Sequence, residues 1–367
     1  MNIRIPIPRA TLVIAAVAAG VGSPLAAQDE VDAQLRSFAA EMDSLRVAHR
    51  IPGLSMAVVR DGRVVLARGY GFADVEAQRP ATKHTPYNIA SVTKTIAGVT
   101  AMRLVERGVL DLDRPMTAYT GWAEFCAEVR EEGPPIFFAD YDCSPGVTLR
   151  HVLSMQMNGT AGERFYYNPI SFSWASRPIM QAAGRAFSDL VAEEVFGPAG
   201  MTESARTHRN LPLRTDLAEA IAAPYHADSA GAFVRSPGPG PQGDGAAGGV
   251  VSTVADLARF DVALDDGLLL SEASKAEMWR PGRSPSGAVL PYGIGWYVEE
   301  VDGRRMVWHS GWWEQAYSAL YLKLPDERLT LILLANSEGI WWGKPLDTAG
   351  VDGSPFAVAF LRHFPAR

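Results

Sequence analysis

Ser91 and Lys94, in the sequence Ser-Val-Thr-Lys, are the two residues whose types and spacing best suit covalent chemistry. On a helix, this separation places the two side chains one turn apart on the same face. A serine hydroxyl becomes an effective nucleophile when a neighbouring base removes its proton, and an amine so placed can be that base. A serine near a helix start can also be an N-cap. The pair therefore predicts either a nucleophile with its base or a structural cap.

The scarcity of lysine favours the catalytic interpretation. Beyond residue 27 the chain has five lysines among many arginines, and Ser91-Val92-Thr93-Lys94 is its single Ser-x-x-Lys sequence. A hydrolase of this kind also needs a second proton-transfer group and backbone N–H groups that stabilise the oxyanion. Tyr166 and Tyr167 are candidates for the first, and the strand-like segment that ends in His309-Ser310-Gly311 is a candidate for the second. Packing alone would also explain a tyrosine pair or a buried histidine.

The elements that must position these residues indicate an α+β fold. Apolar spacing predicts an amphipathic helix over 30–49, and Asp61-Gly62 between two apolar runs predicts a hairpin over 54–67. We expect an antiparallel sheet built from both chain ends and flanked by helices, with a mainly helical middle region and the site between them. The predicted α/β lobe covers about 28–85 and 285–367, and the predicted helical lobe covers about 86–284. Further helices are predicted at 91–106, 148–155, 182–196 and 254–264, and strands at 292–299, 305–309, 316–322 and 329–334.

The first 27 residues are typical of a cleavable secretory signal, because two arginines precede a short apolar run and a small-residue site. The apolar run is shorter than a membrane span requires, so we expect a periplasmic or secreted protein with no span in the mature chain. Cys126 and Cys143 are then expected to form a disulfide. The net charge of -7, without a basic block, argues against a nucleic-acid partner.

Other features exclude some functions and leave others open. The chain has no Gly-x-Ser-x-Gly elbow of the α/β-hydrolase type, and its seven histidines lack the paired spacing of a metal site, so no metal or other cofactor is predicted. The Pro- and Gly-rich segment 236–247 is either a lid or a surface excursion. Trp312-Trp313 and Trp341-Trp342 either add apolar surface near the site or belong to the core.

Several short stretches, in order along nearly the whole chain, resemble the serine β-lactamase and penicillin-binding protein superfamily. The resemblance is to its branch of class C β-lactamases, D-alanyl-D-alanine carboxypeptidases and family VIII esterases. The matching stretches are Ile51–Ser55, Ile89–Lys94, Leu110–Asp113, Thr148–Ser154, Gly248–Thr253 and Tyr292–Trp296. The resemblance implies a β-lactamase-like fold in which Ser91 is acylated and Lys94 is its base partner.

The resemblance also implies roles for the residues around this pair. The family's Tyr-x-Asn motif falls imperfectly here, and its spacing favours Tyr167 as the catalytic tyrosine, with Tyr166 and Asn168 as further site residues. His309, Ser310 and Gly311 stand where the superfamily has Lys-Thr-Gly, and we expect them to contact substrate. The N–H groups of Ser91 and Trp312 would form the oxyanion hole.

Two departures from the family pattern bear on the substrate. Without the lysine of Lys-Thr-Gly, the site loses a fixed positive charge for a substrate carboxylate. Residues 121–146 are interpreted as an insertion that rebuilds the rim. We therefore expect a serine hydrolase acting on a small ester, amide or peptide, most consistent with a carboxylesterase. The alternatives are a D-Ala-D-Ala carboxypeptidase, a β-lactamase, or a penicillin-recognising module that has lost turnover.

Overall fold

A computed structural model describes residue 1, residues 24–132 and residues 135–366. Most of the segment predicted to be a signal peptide lies outside the described residues, and the first helix begins at Pro24. Within the described ranges, no helix combines the length and the apolar character that crossing a membrane requires.

A seven-stranded antiparallel sheet draws on both ends of the chain, as predicted. The order of its strands is β11-β12-β13-β14-β1-β2-β3, so the first strand pairs with the last. Small two- and three-stranded sheets use the remaining strands. The strands are β1 Gly53–Arg60, β2 Arg63–Asp74, β3 Arg79–Pro80, β4 Tyr87–Asn88, β5 Ala205–Arg206, β6 Tyr225–Ala227, β7 Phe233–Arg235, β8 Val250–Ser252, β9 Gly282–Arg283, β10 Val289–Leu290, β11 Tyr297–Val301, β12 Arg304–Trp313, β13 Tyr317–Leu324 and β14 Leu329–Ala335.

Helices occupy most of the region between the strands β1–β4 and β11–β14. The helices are α1 Pro24–Ala48, α2 Thr93–Glu106, α3 Trp122–Glu132, α4 Pro135–Phe138, α5 Leu149–Leu153, α6 Pro169–Trp174, α7 Ser176–Ala183, α8 Phe187–Val191, α9 Gly197–Ala199, α10 Thr215–Ala220, α11 Val254–Asp265, α12 Glu272–Met278 and α13 Pro355–His363. A 3₁₀ turn over Ala90–Val92 leads directly into α2.

The centre of the sheet is buried because its strands are covered by helices. Every residue of β13 and β14 is buried, which explains why these strands are nearly continuous apolar runs rather than alternating ones. Helices α1 and α13 contact each other, and the Phe38 ring lies 5.8 Å from Phe360 and 5.3 Å from Phe364. Helix α11 packs against β1 and β14. These layers hold the sheet edge that forms one side of the site.

Two predicted elements were wrong in extent. The helix predicted over 182–196 is interrupted, because Gly184 adopts a left-handed φ of 67° and ends α7. The strand predicted over 292–299 begins only at Tyr297, because Gly295 has φ 79° and turns the chain. A side chain at Gly295 would meet the carbonyl oxygen of Lys94 at 2.3 Å. The turn before β11 therefore packs directly on the helix that carries the lysine.

The predicted disulfide between Cys126 and Cys143 is present. It joins α3 to the coil that follows α4, across a separation of 17 residues. The segment between the two cysteines was interpreted as inserted, and its residue Phe137 reaches the cavity described below. The bridge therefore fixes one part of the cavity wall.

Candidate active site

A cavity of about 660 Å³ opens between the β12 edge and the helical region, with Ser91, Lys94 and Tyr167 in its lining. Its wall is mostly apolar and includes Phe137, Ile170 and Trp312. A cavity of this size suits a small ligand. Within the described residues, no group of three or more His, Cys, Asp or Glu side chains is arranged to hold a metal ion.

The Ser91 hydroxyl and the Lys94 amine are in direct contact at the cavity. Lys94 Nζ lies 2.8 Å from Ser91 Oγ and 3.0 Å from the carbonyl oxygen of Ala247. The lysine is fully buried, and this desolvation lowers its pKa well below the usual value. Burial thus favours the neutral amine, which is the form that can accept a proton, and the pair has the geometry of a nucleophile with its base.

The turn that carries Ser91 is held in an unusual backbone conformation. Ala90 has a positive φ of 48°, and its N–H donates to Asn88 Oδ1 at 2.9 Å. Trp313 Nε1 donates to the same oxygen at 3.2 Å. Positive φ is costly for a residue with a Cβ, so these contacts stabilise a strained turn that presents the serine to the cavity.

Strand β12 lies directly beside this turn. A side chain at Gly311 would meet the carbonyl oxygen of Ile89 at 2.3 Å, so only glycine permits the approach. The pairing of β12 with β11 ends at Trp308, whereas its pairing with β13 continues to Trp313. The end of β12 therefore has one edge turned away from β13, on the side of Ser91. The predicted oxyanion donors, the N–H groups of Ser91 and Trp312, belong to these two neighbouring segments.

Of the two candidate tyrosines, Tyr167 lines the cavity, whereas Tyr166 is not among the lining residues. The Tyr167 ring centroid lies 5.2 Å from Lys94 Nζ, and the ring stacks on Tyr297 with a centroid separation of 6.0 Å. Burial raises the pKa of the Tyr167 phenol, and the neighbouring Ser91 hydroxyl offsets part of the rise. The phenol is therefore neutral near neutral pH and can donate a proton. Tyr166 is half-buried, near Arg164.

Asn168 is fully buried, and its side-chain hydrogen bonds go to protein groups. Its Oδ1 accepts from the N–H groups of Ile170 and Ser171 and so caps α6, which starts with proline. Its Nδ2 donates to the carbonyl oxygen of Phe137 at 2.7 Å. The amide thus connects the segment after Tyr167 to the disulfide-bridged segment, and it does not line the cavity.

His309 is also fully buried and does not line the cavity, whereas Ser310 and Trp312 do. Its Nε2 lies 2.8 Å from Tyr292 Oη, and its Nδ1 lies 2.7 Å from the carbonyl oxygen of Ser310. Burial, and then the proximity of Lys94 and Lys344, lowers the pKa of this imidazole well below its usual value. His309 is therefore neutral and contributes no positive charge at the position where the superfamily has lysine.

The segment 236–247, predicted to be a lid or a surface excursion, contributes to the wall through Gln242 and Ala247. Its end is anchored by an ion pair between Asp244 and Arg206 at 3.0 Å and by a hydrogen bond from the Ala246 N–H to the carbonyl oxygen of Ser173. The contact of the Ala247 carbonyl oxygen with Lys94 could not be predicted from the sequence, because every residue type has the same main-chain oxygen.

Lys344 is a second lysine of the cavity that the sequence analysis did not assign to the site. It lies in the coil between β14 and α13, and its amine lies 4.3 Å from the Tyr297 ring centroid and 5.5 Å from that of Tyr167. Two features of the sequence could have indicated a site residue here: the position of Lys344 after the paired tryptophans, and the scarcity of lysine in the chain. No local motif connects this coil with Ser91.

An aromatic shelf, formed by Trp312 and Trp341, lies at the cavity rim. The two rings stack with centroids 5.9 Å apart, and Trp312 is 41% exposed. A large exposed aromatic surface at a cavity rim is typical of a binding surface for an apolar or aromatic group. Of the two interpretations of the paired tryptophans, the one that places apolar surface near the site therefore applies to Trp312 and Trp341.

The antiparallel sheet, the helical region and the contact between Ser91 and the buried Lys94 together define a serine hydrolase of the β-lactamase superfamily. The profile of the Beta-lactamase family matches residues 31–341, and the chain belongs to this family. This finding confirms the fold and the family that the sequence motifs predicted.

Individual relatives agree with this assignment. The chain is 29% identical to penicillin-binding protein 4* of Bacillus subtilis over 81% of this chain and 70% of that protein. It is 26% identical to a D-aminopeptidase of Cereibacter sphaeroides over 81% of this chain and 59% of that protein. The chain thus spans well under two thirds of the aminopeptidase. The solved octameric penicillin-binding protein homologue from Pyrococcus abyssi superposes with a TM-score of 0.70 and 22% identity, over 89% of this chain and 77% of that one.

Proposed function

We propose that the protein hydrolyses a small ester or amide through an acyl-enzyme on Ser91, with a preference for carboxylic esters that carry an apolar or aromatic group. The observation that carries this proposal is the 2.8 Å contact between Ser91 Oγ and a fully buried Lys94 amine at a mostly apolar cavity. The aromatic shelf supports the preference for an apolar group.

The proposed reaction has two steps. Ser91 Oγ attacks the substrate carbonyl as its proton passes to the neutral Lys94 amine, and the oxyanion accepts hydrogen bonds from the N–H groups of Ser91 and Trp312. The bond to the leaving group then breaks as that group takes a proton, and an acyl ester remains on Ser91. Water attacks this ester and gives its proton to the same base, which frees the acid and restores the serine hydroxyl.

The opposite pKa shifts of Lys94 and Tyr167 support separate roles for them. Burial favours the neutral amine at Lys94, which is the form that accepts a proton. It also favours the neutral phenol at Tyr167, which is the form that donates one. We therefore assign proton acceptance from Ser91 to Lys94 and proton delivery to the leaving group to Tyr167. The proton held by Lys94 then passes to the Tyr167 phenolate, so both groups regain their neutral forms before water attacks the acyl ester.

Covalent labelling tests the proposal directly. A fluorescent fluorophosphonate is expected to label the wild-type protein and not the Ser91→Ala variant. Labelling that persists in Ser91→Ala would refute the assignment of the nucleophile, and absence of labelling in both proteins would favour a non-catalytic binding module. Circular dichroism of both proteins shows whether the variant is folded.

Turnover then distinguishes the substrate classes. We expect hydrolysis of 4-nitrophenyl butyrate and little hydrolysis of the β-lactam nitrocefin. The aminopeptidase relatives favour a second candidate, cleavage of an amide next to a D-amino acid. Release of nitroaniline from a D-amino acid 4-nitroanilide, without ester hydrolysis, would favour that candidate over the esterase.

We also propose that the protein is exported to the periplasm or secreted. The predicted signal segment and the Cys126–Cys143 disulfide support export, because disulfides persist in oxidising compartments. Detection of the mature chain in a periplasmic or culture fraction, with a new N-terminus near residue 28, would test this.

A further inference from the structure

Lys344 presents a buried ammonium group to the reactive cavity. The residue is 8% exposed and lines the same cavity as Ser91 and Lys94. Its Nζ donates to the carbonyl oxygens of Pro345 at 3.1 Å and Thr348 at 3.2 Å, both in its own coil. An ammonium has three donors, so these two carbonyls leave one donor for another partner.

The surroundings of this amine are aromatic rather than acidic. Its Nζ lies 4.3, 5.5 and 6.0 Å from the ring centroids of Tyr297, Tyr167 and Trp308. In the described part of the chain, no carboxylate forms an ion pair with it. The nearest acidic influences are Glu299 and Asp347. Aromatic faces and carbonyl dipoles hold a cation in place without neutralising its charge.

Glu299 forms no ion pair with Lys344, because N–H groups occupy both of its carboxylate oxygens. Its Oε1 accepts from Trp308 Nε1 at 2.6 Å and from the Val351 N–H at 2.9 Å, and its Oε2 accepts from the Gly350 N–H at 3.0 Å. These contacts fold the coil that carries Lys344 back onto β11 and β12. The carboxylate therefore positions the coil while the lysine remains available to the cavity.

The titratable groups near Lys344 leave the cavity without a buried acid. Burial lowers the pKa values of Lys94 and His309 and raises those of Tyr167 and Tyr297, so it favours the uncharged form of each of these groups. Desolvation lowers the pKa of Lys344 to about 7, which Glu299 and Asp347 partly oppose. Among the described residues that line the cavity, Glu314 is the one that carries a carboxylate, and it is exposed at the rim. An amine in such a site gains most from an anion that enters with a ligand.

We propose that Lys344 is a specificity-determining residue that binds a carboxylate group of the substrate. This inference rests on the proposed hydrolase function and narrows its substrate class to esters or amides that carry a free acid. It also changes the expectation drawn from the missing lysine of Lys-Thr-Gly, because a positive charge reaches the cavity from a different element. The acid enters beside the stacked Tyr167 and Tyr297 rings.

Matched substrate pairs test the proposal. Mono-4-nitrophenyl esters of succinic, glutaric and adipic acids are compared with 4-nitrophenyl butyrate, pentanoate and hexanoate, which replace the distal carboxylate by a methyl group. We expect wild type to favour at least one acidic ester by about tenfold or more in kcat/KM. This preference is expected to decline as the pH rises from about 7 to about 9, because the ammonium loses its proton.

Variants separate charge from packing. Lys344→Met is expected to lose about tenfold to hundredfold in kcat/KM on the preferred acidic ester and to remain within about threefold of wild type on its neutral partner. Lys344→Arg, which keeps the charge, is expected to recover part of the loss. The exposed Lys83→Met is the matched control. An equal loss on both substrates would overturn the proposal and indicate that Lys344 acts through Tyr167 or through packing.

A binding measurement keeps this test separate from the proposed function. Glutarate is expected to slow fluorophosphonate labelling of wild-type Ser91 but not that of Lys344→Met. Labelling without protection, together with equal turnover of both ester types by wild type, would refute the role of Lys344 while leaving the hydrolase intact. Absence of labelling would instead refute the hydrolase proposal.

Discussion

Replacement of Lys94 by methionine is expected to reduce activity and to change the pH dependence of stability. Methionine has a similar volume but cannot accept the Ser91 proton. A positioned general base contributes about 10²- to 10⁴-fold, so kcat/KM for 4-nitrophenyl butyrate should fall by a factor in this range. The amine is fully buried, with a pKa lowered by desolvation, so the folded wild type bears the free-energy cost of keeping it unprotonated.

The pH dependence of this cost gives a second, quantitative readout. Because the folded pKa of Lys94 lies below its unfolded value, the unfolded state holds one more proton in the window between them. Wild-type stability therefore rises with pH in this window, by about 1.4 kcal/mol per pH unit from this group alone. Lys94→Met lacks this rise. Relative to wild type, the variant should therefore lose about 1.4 kcal/mol of stability for each pH unit of rise within this window.

Urea unfolding of both proteins at a series of pH values below about 10, the usual lysine pKa, measures this difference. The loss of the hydrogen bonds to Ser91 and Ala247 is the same at every pH within the window, so it cancels from the comparison. Lys275→Met is a matched control for activity, because Lys275 is also buried but donates to the Leu264 carbonyl outside the cavity lining. A Lys94→Met protein that keeps activity within about tenfold of wild type, or whose relative stability does not change with pH, would refute this account of the base.

Three further outcomes follow from the site geometry. Tyr167→Phe should lower kcat by about 10²-fold or more, because the proton donor is lost. Tyr119 is a buried tyrosine outside the cavity, so Tyr119→Phe should leave kcat unchanged. Equal kcat values for the two variants would contradict the role of Tyr167 as proton donor. Trp312→Ala should raise KM for aryl esters by about tenfold with little change in kcat, and an unchanged KM would exclude the shelf as a binding surface. Serine at both Cys126 and Cys143 should cost about 3 kcal/mol of unfolding free energy, from the entropy of a loop with a separation of 17 residues, and unchanged urea unfolding would contradict this.

Much of the fold was predictable because its determinants are local. The Asp61-Gly62 turn sets the β1–β2 hairpin, and continuous apolar runs mark the buried strands β13 and β14. The pairing of Cys126 with Cys143 followed from the presence of two cysteines in a chain expected to be exported. Gly184 and Gly295 mark the points where the chain turns, but the apolar periodicity on which the element bounds were predicted does not include this information.

The site was predictable where a motif carried it and not where the backbone or a distant coil did. The contact between Ser91 and Lys94 follows from helical spacing. Asn168 was predicted to contact substrate because it is the amide nearest to the expected position of the family's Tyr-x-Asn motif. Pro169 after it is the signal of an N-cap, and the Asn168 side chain accepts from main-chain N–H groups. Lys344 and the Ala247 carbonyl reach the cavity only through tertiary packing, which no local pattern encodes.

The pairing of β1 with β14 also constrains how the protein is made. Leu54 lies opposite Ala335, so the two central strands of the sheet meet only after nearly the whole chain has been synthesised. Contacts between such distant segments form slowly, because a very long loop must close first. A nascent chain therefore cannot complete the sheet or the β12 edge beside Ser91 during translation. A chain that ends before Leu329 would lack the strand that connects the two halves of the sheet, and it would emerge without an assembled nucleophile site.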